Sequence, residues 1–349
     1  MGKKIRERGI LIGTMKTGKK NCLTDVEGVK VGHVTLDYPL DGENYACTGV
    51  TAILPHGGNL FKEKVTAASY VLNGFGKSTG LIQVNELGVM ESPIMLTNTF
   101  GVPAVTQGTL EYMLEENPEI GDTTGTINIV VGECNDGVLN SIRKFPVKPE
   151  HAIEAIMKAE SNASAEGAVG AGKGMVCFGY KGGIGTSSRI ILDETENKEY
   201  TIGCLVLSNF GAKEEFPLYK YPGIRVSANS VTKPADGSII IVLATDIPLS
   251  DRQLQRVAKR CGIGLGRTGS HFSHGSGDIV IAFSTANKIP HFSQDHFVIS
   301  KQIREDQPIF NQVFQAAAEA AEEAIMNSLS QAETTSGRNG KVIEALFQN

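Results

Sequence analysis

A chain of 349 residues, 41% hydrophobic and 20% charged, has the make-up of a folded protein with a large core, in one large domain or two ordinary ones. Its formal charge of −5 gives no electrostatic reason to expect nucleic acid or an anionic membrane as partner, and no apolar run reaches membrane-spanning length. Six scattered cysteines without a CxxC pair read as core thiols in a reducing compartment rather than a disulfide frame or zinc site.

The amino-terminal apolar run, residues 9–13, is too short for the core of a signal peptide, so the cytoplasm is the expected compartment. Strand-like runs follow at 50–54 and 92–97. A helix over 105–117 is stopped by Pro118. A strand is predicted over 126–131, and a helix over 151–161 with Ile153, Ile156 and Ala159 on one face. Three more strands are expected at 174–178, 188–192 and 200–207.

Residues 216–236, rich in Pro, Lys, Tyr, Ser and Asn, form the expected flexible connection to a strand over 238–244. Ser250-Asp251-Arg252-Gln253 opens a helix as a capping box, with Leu254, Val257 and Cys261 on its apolar face. A strand over 278–283 and an alanine-rich helix over 308–328 complete the main elements. A loop at 333–340 separates that helix from a short final segment. Apolar strands on both sides of every connection need partners, so the chain reads as one domain, 1–349. Helices and strands alternate without a strict βαβ rhythm, which favours a layered α+β sandwich over a doubly wound parallel sheet.

Gly167-Ala168-Val169-Gly170-Ala171-Gly172-Lys173-Gly174 nearly matches a phosphate-binding loop. Gly174 stands where a hydroxyl should hold Mg²⁺, and the flanking helix and strand come in the wrong order. The alternative is a bend in which backbone approaches a substrate or neighbouring chain closely. His271-Phe272-Ser273-His274 lacks a nearby third ligand and reads as a loop, so no metal site is expected. No Ser–His–Asp triad follows from the spacing of the histidines.

Any base for a nucleophilic serine must therefore come from elsewhere. Ser238 follows Gly237 at the end of a polar loop and opens the apolar run Ile239-Ile240-Ile241-Val242-Leu243. Most Gly-Ser pairs before a strand are ordinary turns. If the Gly237–Ser238 bond were cut, however, the new α-amine, with a pKa of about 7.7–8.0, would be a base beside the hydroxyl. Ser276 and Asp278 lie two apart at the head of the strand 278–283, so both side chains face one side. A hydroxyl and a carboxylate there are able to relay a proton or orient an amine; a plain turn is the alternative. Glu133-Cys134-Asn135 and Ser208-Asn209 end two further strands, where asparagine serves either a turn or an oxyanion.

Taken in order, these segments resemble the DmpA/BapA family of self-processing aminopeptidases. The resemblance runs from Leu23-Thr24-Asp25-Val26-Glu27-Gly28 almost to the end of the chain. It includes Asn73-Gly74-Phe75-Gly76, Thr97-Asn98-Thr99, Glu133 to Asn140, Lys181-Gly182-Gly183-Ile184-Gly185-Thr186-Ser187-Ser188-Arg189, Gly237 to Pro248 and Gly275 to Asn287.

The resemblance implies a four-layer α/β/β/α sandwich of the Ntn-hydrolase type and a precursor cut between Gly237 and Ser238. An α chain 1–237 and a β chain 238–349 would stay associated. Ser238 would be the nucleophile, Ser276 and Asp278 would support its amine, and Asn209 would serve the oxyanion. Glu133 would anchor the substrate's amino group. Some family members place a tyrosine hydroxyl near this acidic turn, and Asn135 stands in that neighbourhood here. The implied substrates are short peptides, amino-acid amides or esters, hydrolysed without metal or organic cofactor by a homo-oligomer of processed protomers. An acyltransferase like the ornithine acetyltransferases, which use threonine, is the alternative enzyme. An unprocessed binding protein of the same fold, and a nucleotide-binding protein using residues 167–174, are the others.

Overall fold

A strand with apolar residues on both faces needs two cores, and Ser238–Thr245 meets one on each side. Ile240, Val242 and Ala244 pack among Ile53, Leu96 and Val130 between two sheets. Ile239, Ile241 and Leu243 pack with Leu254, Val257 and Ala317 beneath helices. The computed structural model in which this is seen describes residues 2–221, 224 and 237–347. Most of the expected connection 216–236 thus lies outside the described residues.

One sheet has four strands in the order β1 (Lys30–Pro39), β2 (Tyr45–Leu54), β5 (Ile94–Asn98) and β6 (Val130–Cys134). The other has six, in the order β4 (Val89–Met90), β3 (Glu63–Gly74), β12 (Gly277–Pro290), β11 (Ser238–Thr245), β10 (Lys198–Asn209) and β9 (Gly183–Asp193). Two small hairpins are β7 (Val176–Cys177) with β8 (Tyr180–Lys181) and β13 (Thr335–Ser336) with β14 (Val342–Ile343). The helices are α1 (Leu81–Leu87), α2 (Val102–Glu116), α3 (Pro149–Met157), α4 (Asp251–Arg267) and α5 (Ile309–Ser330).

Helices α2 and α3 cover the outer face of the smaller sheet, where Val105, Met113 and Ile156 meet Val34, Val50 and Met95. With α4 and α5 on the outer face of the larger sheet, the layers run α/β/β/α, the sandwich that the resemblance implied. Strands β11 and β12 are parallel and joined by the crossover helix α4, while β10 and β11 are antiparallel. The register sets Ser238 opposite Asn209 on one side and Gly277 on the other. Strands β11 and β12, both downstream of residue 237, therefore lie inside the larger sheet, between β3 and β10.

Two strand expectations need correction. The run 126–131 pairs only from Val130, and its strand continues through Gly132 to Cys134. A Cβ at Gly132 would stand 3.0 Å from both Ile240 and Leu96, so glycine here permits close packing between sheets. The run 174–178 shrinks to the two-residue β7, because Phe178 (φ 51) and Gly179 (φ 74) turn the chain back on itself. All six cysteines are buried and unbridged.

Candidate active site

Ser238 opens β11 in a buried position. Its Oγ donates to the Gly237 carbonyl at 2.7 Å and accepts from the Gly277 N–H at 3.2 Å. The same Gly277 N–H also reaches the Gly237 carbonyl oxygen at 3.2 Å. One backbone donor thus touches both the hydroxyl and the carbonyl of the Gly237–Ser238 peptide.

Gly237 is pressed against β10. A Cβ there would lie 2.3 Å from the Asn209 carbonyl oxygen and 2.6 Å from Phe210 Cα. Close approach of backbones, rather than a left-handed conformation, is what requires glycine at this position.

Beside it, Ser276 Oγ donates to Asp278 Oδ1 at 2.6 Å, and Asp278 Oδ2 is buried with no hydrogen-bond partner among the described residues. Burial pushes the Asp278 carboxyl up to about 6, against the opposing pull of the Ser276 hydroxyl and the Ile239 N–H. The turn preceding Ser276 is tied to the end of β3. Asn73 Nδ2 donates to the carbonyls of Ser273 (3.0 Å) and His274 (3.1 Å), and Phe75 N–H donates to Ser276 O (3.2 Å).

That tie carries Gly76 into the site. A Cβ on Gly277 would lie 2.7 Å from Gly76 Cα and 3.2 Å from Ser238 Oγ, and one on Gly76 would lie 3.4 Å from Glu133 Oε1. Glu133, near the end of β6, is only 2% exposed. Its Oε1 accepts from Lys77 N–H at 2.6 Å and its Oε2 from the Thr99 hydroxyl. Two glycines packed against each other thus stand between the serine and a buried carboxylate.

Asn209 ends β10. Its Oδ1 accepts from Val176 N–H and its Nδ2 donates to the Asn135 carbonyl, both at 2.9 Å. The side chain of Asn135 is exposed and folds back, its Oδ1 accepting from Gly137 N–H at 2.9 Å. Asn135 therefore meets the rest of the site through its backbone carbonyl. In sum, Gly237, Ser238, Ser276, Asp278 and Asn209 converge at one end of the larger sheet, and Glu133 faces them from the smaller one.

Two buried titratable side chains here have no signal in the sequence. Lys181 is fully buried, and its Nζ donates to the carbonyls of Gly172 (2.9 Å), Met175 (2.8 Å) and Gly182 (2.8 Å). Burial draws it down to about 7. Asp136 is fully buried and pushed up to about 7 by desolvation. Both lie inside segments recognisable only by resemblance, and neither has a local pattern marking it as buried.

The glycine-rich bend 167–174 packs backbone against backbone. Added Cβ atoms at Gly172 and Gly174 would lie 2.5 Å from Ile184 N and 2.2 Å from Cys47 O, and Lys173 pairs with Asp37 at 2.7 Å. No α-helix follows the bend, so its amides are not gathered at a helix N-terminus as a nucleotide loop requires.

An α/β/β/α sandwich with a serine at the head of an inner strand of the larger sheet defines an enzyme of the Ntn-hydrolase type. The model of peptidase family S58 matches residues 21–343, and the chain belongs to that family. It is a hydrolase, a serine aminopeptidase. It is 39% identical to the β-peptidyl aminopeptidase BapA of Sphingosinicella microcystinivorans over 99% of this chain and 90% of that one. Its structure is similar to the PH0078 protein of Pyrococcus horikoshii (TM-score 0.89, 49% identity, 99% and 96% of the two chains). It also resembles the L-aminopeptidase D-Ala-esterase/amidase of Ochrobactrum anthropi, described as a variant of the Ntn-hydrolase fold (TM-score 0.88, 34% identity, 98% and 95% of the two chains).

Proposed function

We propose that the chain is one domain that cuts itself between Gly237 and Ser238 and then uses Ser238, with its own α-amine as base, to remove N-terminal residues from short peptides, amides and esters. The observation that best supports this reading is the Gly277 N–H shared between the Ser238 hydroxyl and the Gly237 carbonyl oxygen. In self-cleavage the Ser238 oxygen attacks the Gly237 carbonyl carbon, its proton passes through the Ser276–Asp278 pair to the departing Ser238 nitrogen, and Gly277 N–H steadies the oxygen that becomes negative. The C–N bond breaks, leaving an ester and a free amine on Ser238. Water then hydrolyses the ester to a Gly237 carboxylate.

In turnover, Ser238 Oγ attacks the first carbonyl of the substrate and its proton passes to the Ser238 amine. Ser276 and Asp278 hold that amine in place, and an Asn209 amide N–H faces the oxyanion, where one donor is worth about 2.7–4 kcal/mol. The proton moves to the leaving amine, and water releases the amino acid from the acyl-enzyme. The Glu133 carboxylate binds the substrate's ammonium group, which restricts the reaction to free amino termini. Asn135 lines this end of the site, its carbonyl holding Asn209. Because two relatives are β-peptidyl aminopeptidases, β-amino-acid amides belong among the first substrates to test.

The fragments 1–237 and 238–349 would remain together because β11 and β12 lie inside a sheet completed by the other fragment. A cytoplasmic homo-oligomer of such protomers completes the proposal. The test is Ser238→Ala: the expected product is an uncut, inactive chain of 37.2 kDa. Normal hydrolysis by that variant would overturn the assignment.

A further inference from the structure

A lysine buried without a carboxylate partner at hydrogen-bond distance among the described residues calls for another reason to be there. Only the protonated amine has three N–H donors, and three carbonyl acceptors, those of Gly172, Met175 and Gly182, favour that form of Lys181 against the opposing effect of burial. These three belong to the glycine-rich bend, to the residue entering β7 and to the residue after Lys181 itself. The lysine is thus a clamp that closes the bend onto the β7–β8 hairpin.

The middle carbonyl has a further connection. It belongs to the Met175–Val176 peptide, whose N–H, on the other end of the same rigid plane, donates to Asn209 Oδ1 at 2.9 Å. A cation on the oxygen of a peptide polarises it and makes its N–H a better donor. That N–H in turn decides which way the Asn209 amide is turned, because it will pair with the oxygen and not with the NH₂ group. The Asn135 carbonyl, accepting from Asn209 Nδ2 at 2.9 Å, holds the same orientation from the opposite side.

We propose that Lys181 is a positioning residue for Asn209: through the Met175–Val176 peptide it fixes the amide with its oxygen away from the reacting carbonyl and its N–H side toward it. The inference rests on the proposed role of Asn209 at the oxyanion. A lysine that only satisfied loop carbonyls would stabilise the fold without any link to that amide. The two cases differ in a measurable way.

The experiment is a double-mutant cycle on Lys181→Met and Asn209→Ala, with kcat and KM measured on an amino-acid anilide and normalised to the processed fraction found by mass spectrometry. Lys181→Met is expected to lower kcat by about tenfold to a hundredfold with KM nearly unchanged, the loss typical of a donor that is present but misplaced. In the Asn209→Ala background the same substitution is expected to lower kcat by less than about twofold, because residues acting through one group are not additive. Lys181→Gln, which keeps two donors, is expected to fall between wild type and Lys181→Met, and replaces the latter if that variant does not fold.

Equal kcat losses for Lys181→Met in both backgrounds would overturn the inference, as would a folded Lys181 variant with wild-type kcat. Failure of both Lys181 variants to fold would do so too, in favour of a structural role. Wild-type kcat in Asn209→Ala alone would instead overturn the reading of Asn209 on which the inference stands.

Discussion

Gly237→Ala is the sharpest perturbation the site allows, since it adds one methyl group and no chemistry. The new Cβ would sit 2.3 Å from the Asn209 carbonyl oxygen and 2.6 Å from Phe210 Cα, both backbone atoms of a paired strand. Residue 237 must then move outward by about an ångström or more, because ordinary contacts with a methyl group begin near 3.5–4.0 Å. That shift carries the Gly237 carbonyl away from the Gly277 N–H and from Ser238 Oγ, which now lie 3.2 Å and 2.7 Å from its oxygen. Overpacking of this kind costs about 1–3 kcal/mol, and placing that cost on the cleavage geometry slows the reaction by about five- to 150-fold. The assay is cell-free synthesis followed by intact-mass spectrometry over time, with the 37.2 kDa chain as starting species. Gly266→Ala, whose Cβ would meet nothing within 4 Å, is the control and is expected to mature normally. Maturation of Gly237→Ala at the wild-type rate would refute the reasoning.

Three further outcomes are expected. Glu133→Gln should raise KM for substrates with a free amino terminus by about tenfold or more, since a hydrogen bond to a charged partner contributes about 1.5–3 kcal/mol; an unchanged KM would remove Glu133 from substrate binding. Self-cleavage should slow as pH falls through about 6, where the Asp278 carboxyl becomes protonated, and Asp278→Asn should abolish that dependence. The sign for stability is opposite: a carboxyl raised in the folded state gains stability as pH falls from about 6 toward its unfolded value near 3.9, so this group does not explain acid inactivation by unfolding. Arg189 is fully buried between Glu319 (3.0 Å) and Glu323 (2.7 Å). Glu323 also pairs with Arg6, and Glu319 also accepts from the Thr14 and Met15 N–H groups, so Arg189→Met weakens two carboxylate sites without emptying them and should cost about 1.5–3 kcal/mol in chemical denaturation. A loss below about 1 kcal/mol would show that the remaining partners suffice.

Much of the architecture could be read from local patterns, and the exceptions share a cause. Strands β10 and β11 announce themselves by β-branched runs, because both their faces are buried, while β9 and β12 are legible only in part, over 188–192 and 278–283. Strands β1 and β3 went unread: each is buried at one end and exposed at the other, so neither a continuous apolar run nor a clean alternation survives. At Gly132 and Gly179 the same residue type had opposite meanings, a close approach between sheets in one and a tight turn in the other. Sequence alone does not separate them.

The site divides in the same way. Ser276 and Asp278 sit two apart on one strand, so their contact follows from spacing. The approach of Glu133 to Ser238 depends on Gly76 and Gly277, which lie far apart in the sequence, and no local signal reports it. In the sequence Lys181 is only one residue of a motif, since a buried lysine is distinguished by carbonyls that lie elsewhere in the chain. Gly237 stands out in the sequence as the residue before the candidate cut, while its steric limit is set by the backbone of β10, far off in the chain from any local signal.

The decisive measurement is denaturing mass spectrometry of the purified protein with amino-terminal sequencing of its fragments. Two fragments, the smaller beginning Ser238-Ile239-Ile240, are the result expected if Ser238 becomes an N-terminal nucleophile. A fully active preparation consisting of a single intact 37.2 kDa chain would contradict it, because Ser238 would then hydrolyse peptides without the amine assigned as its base.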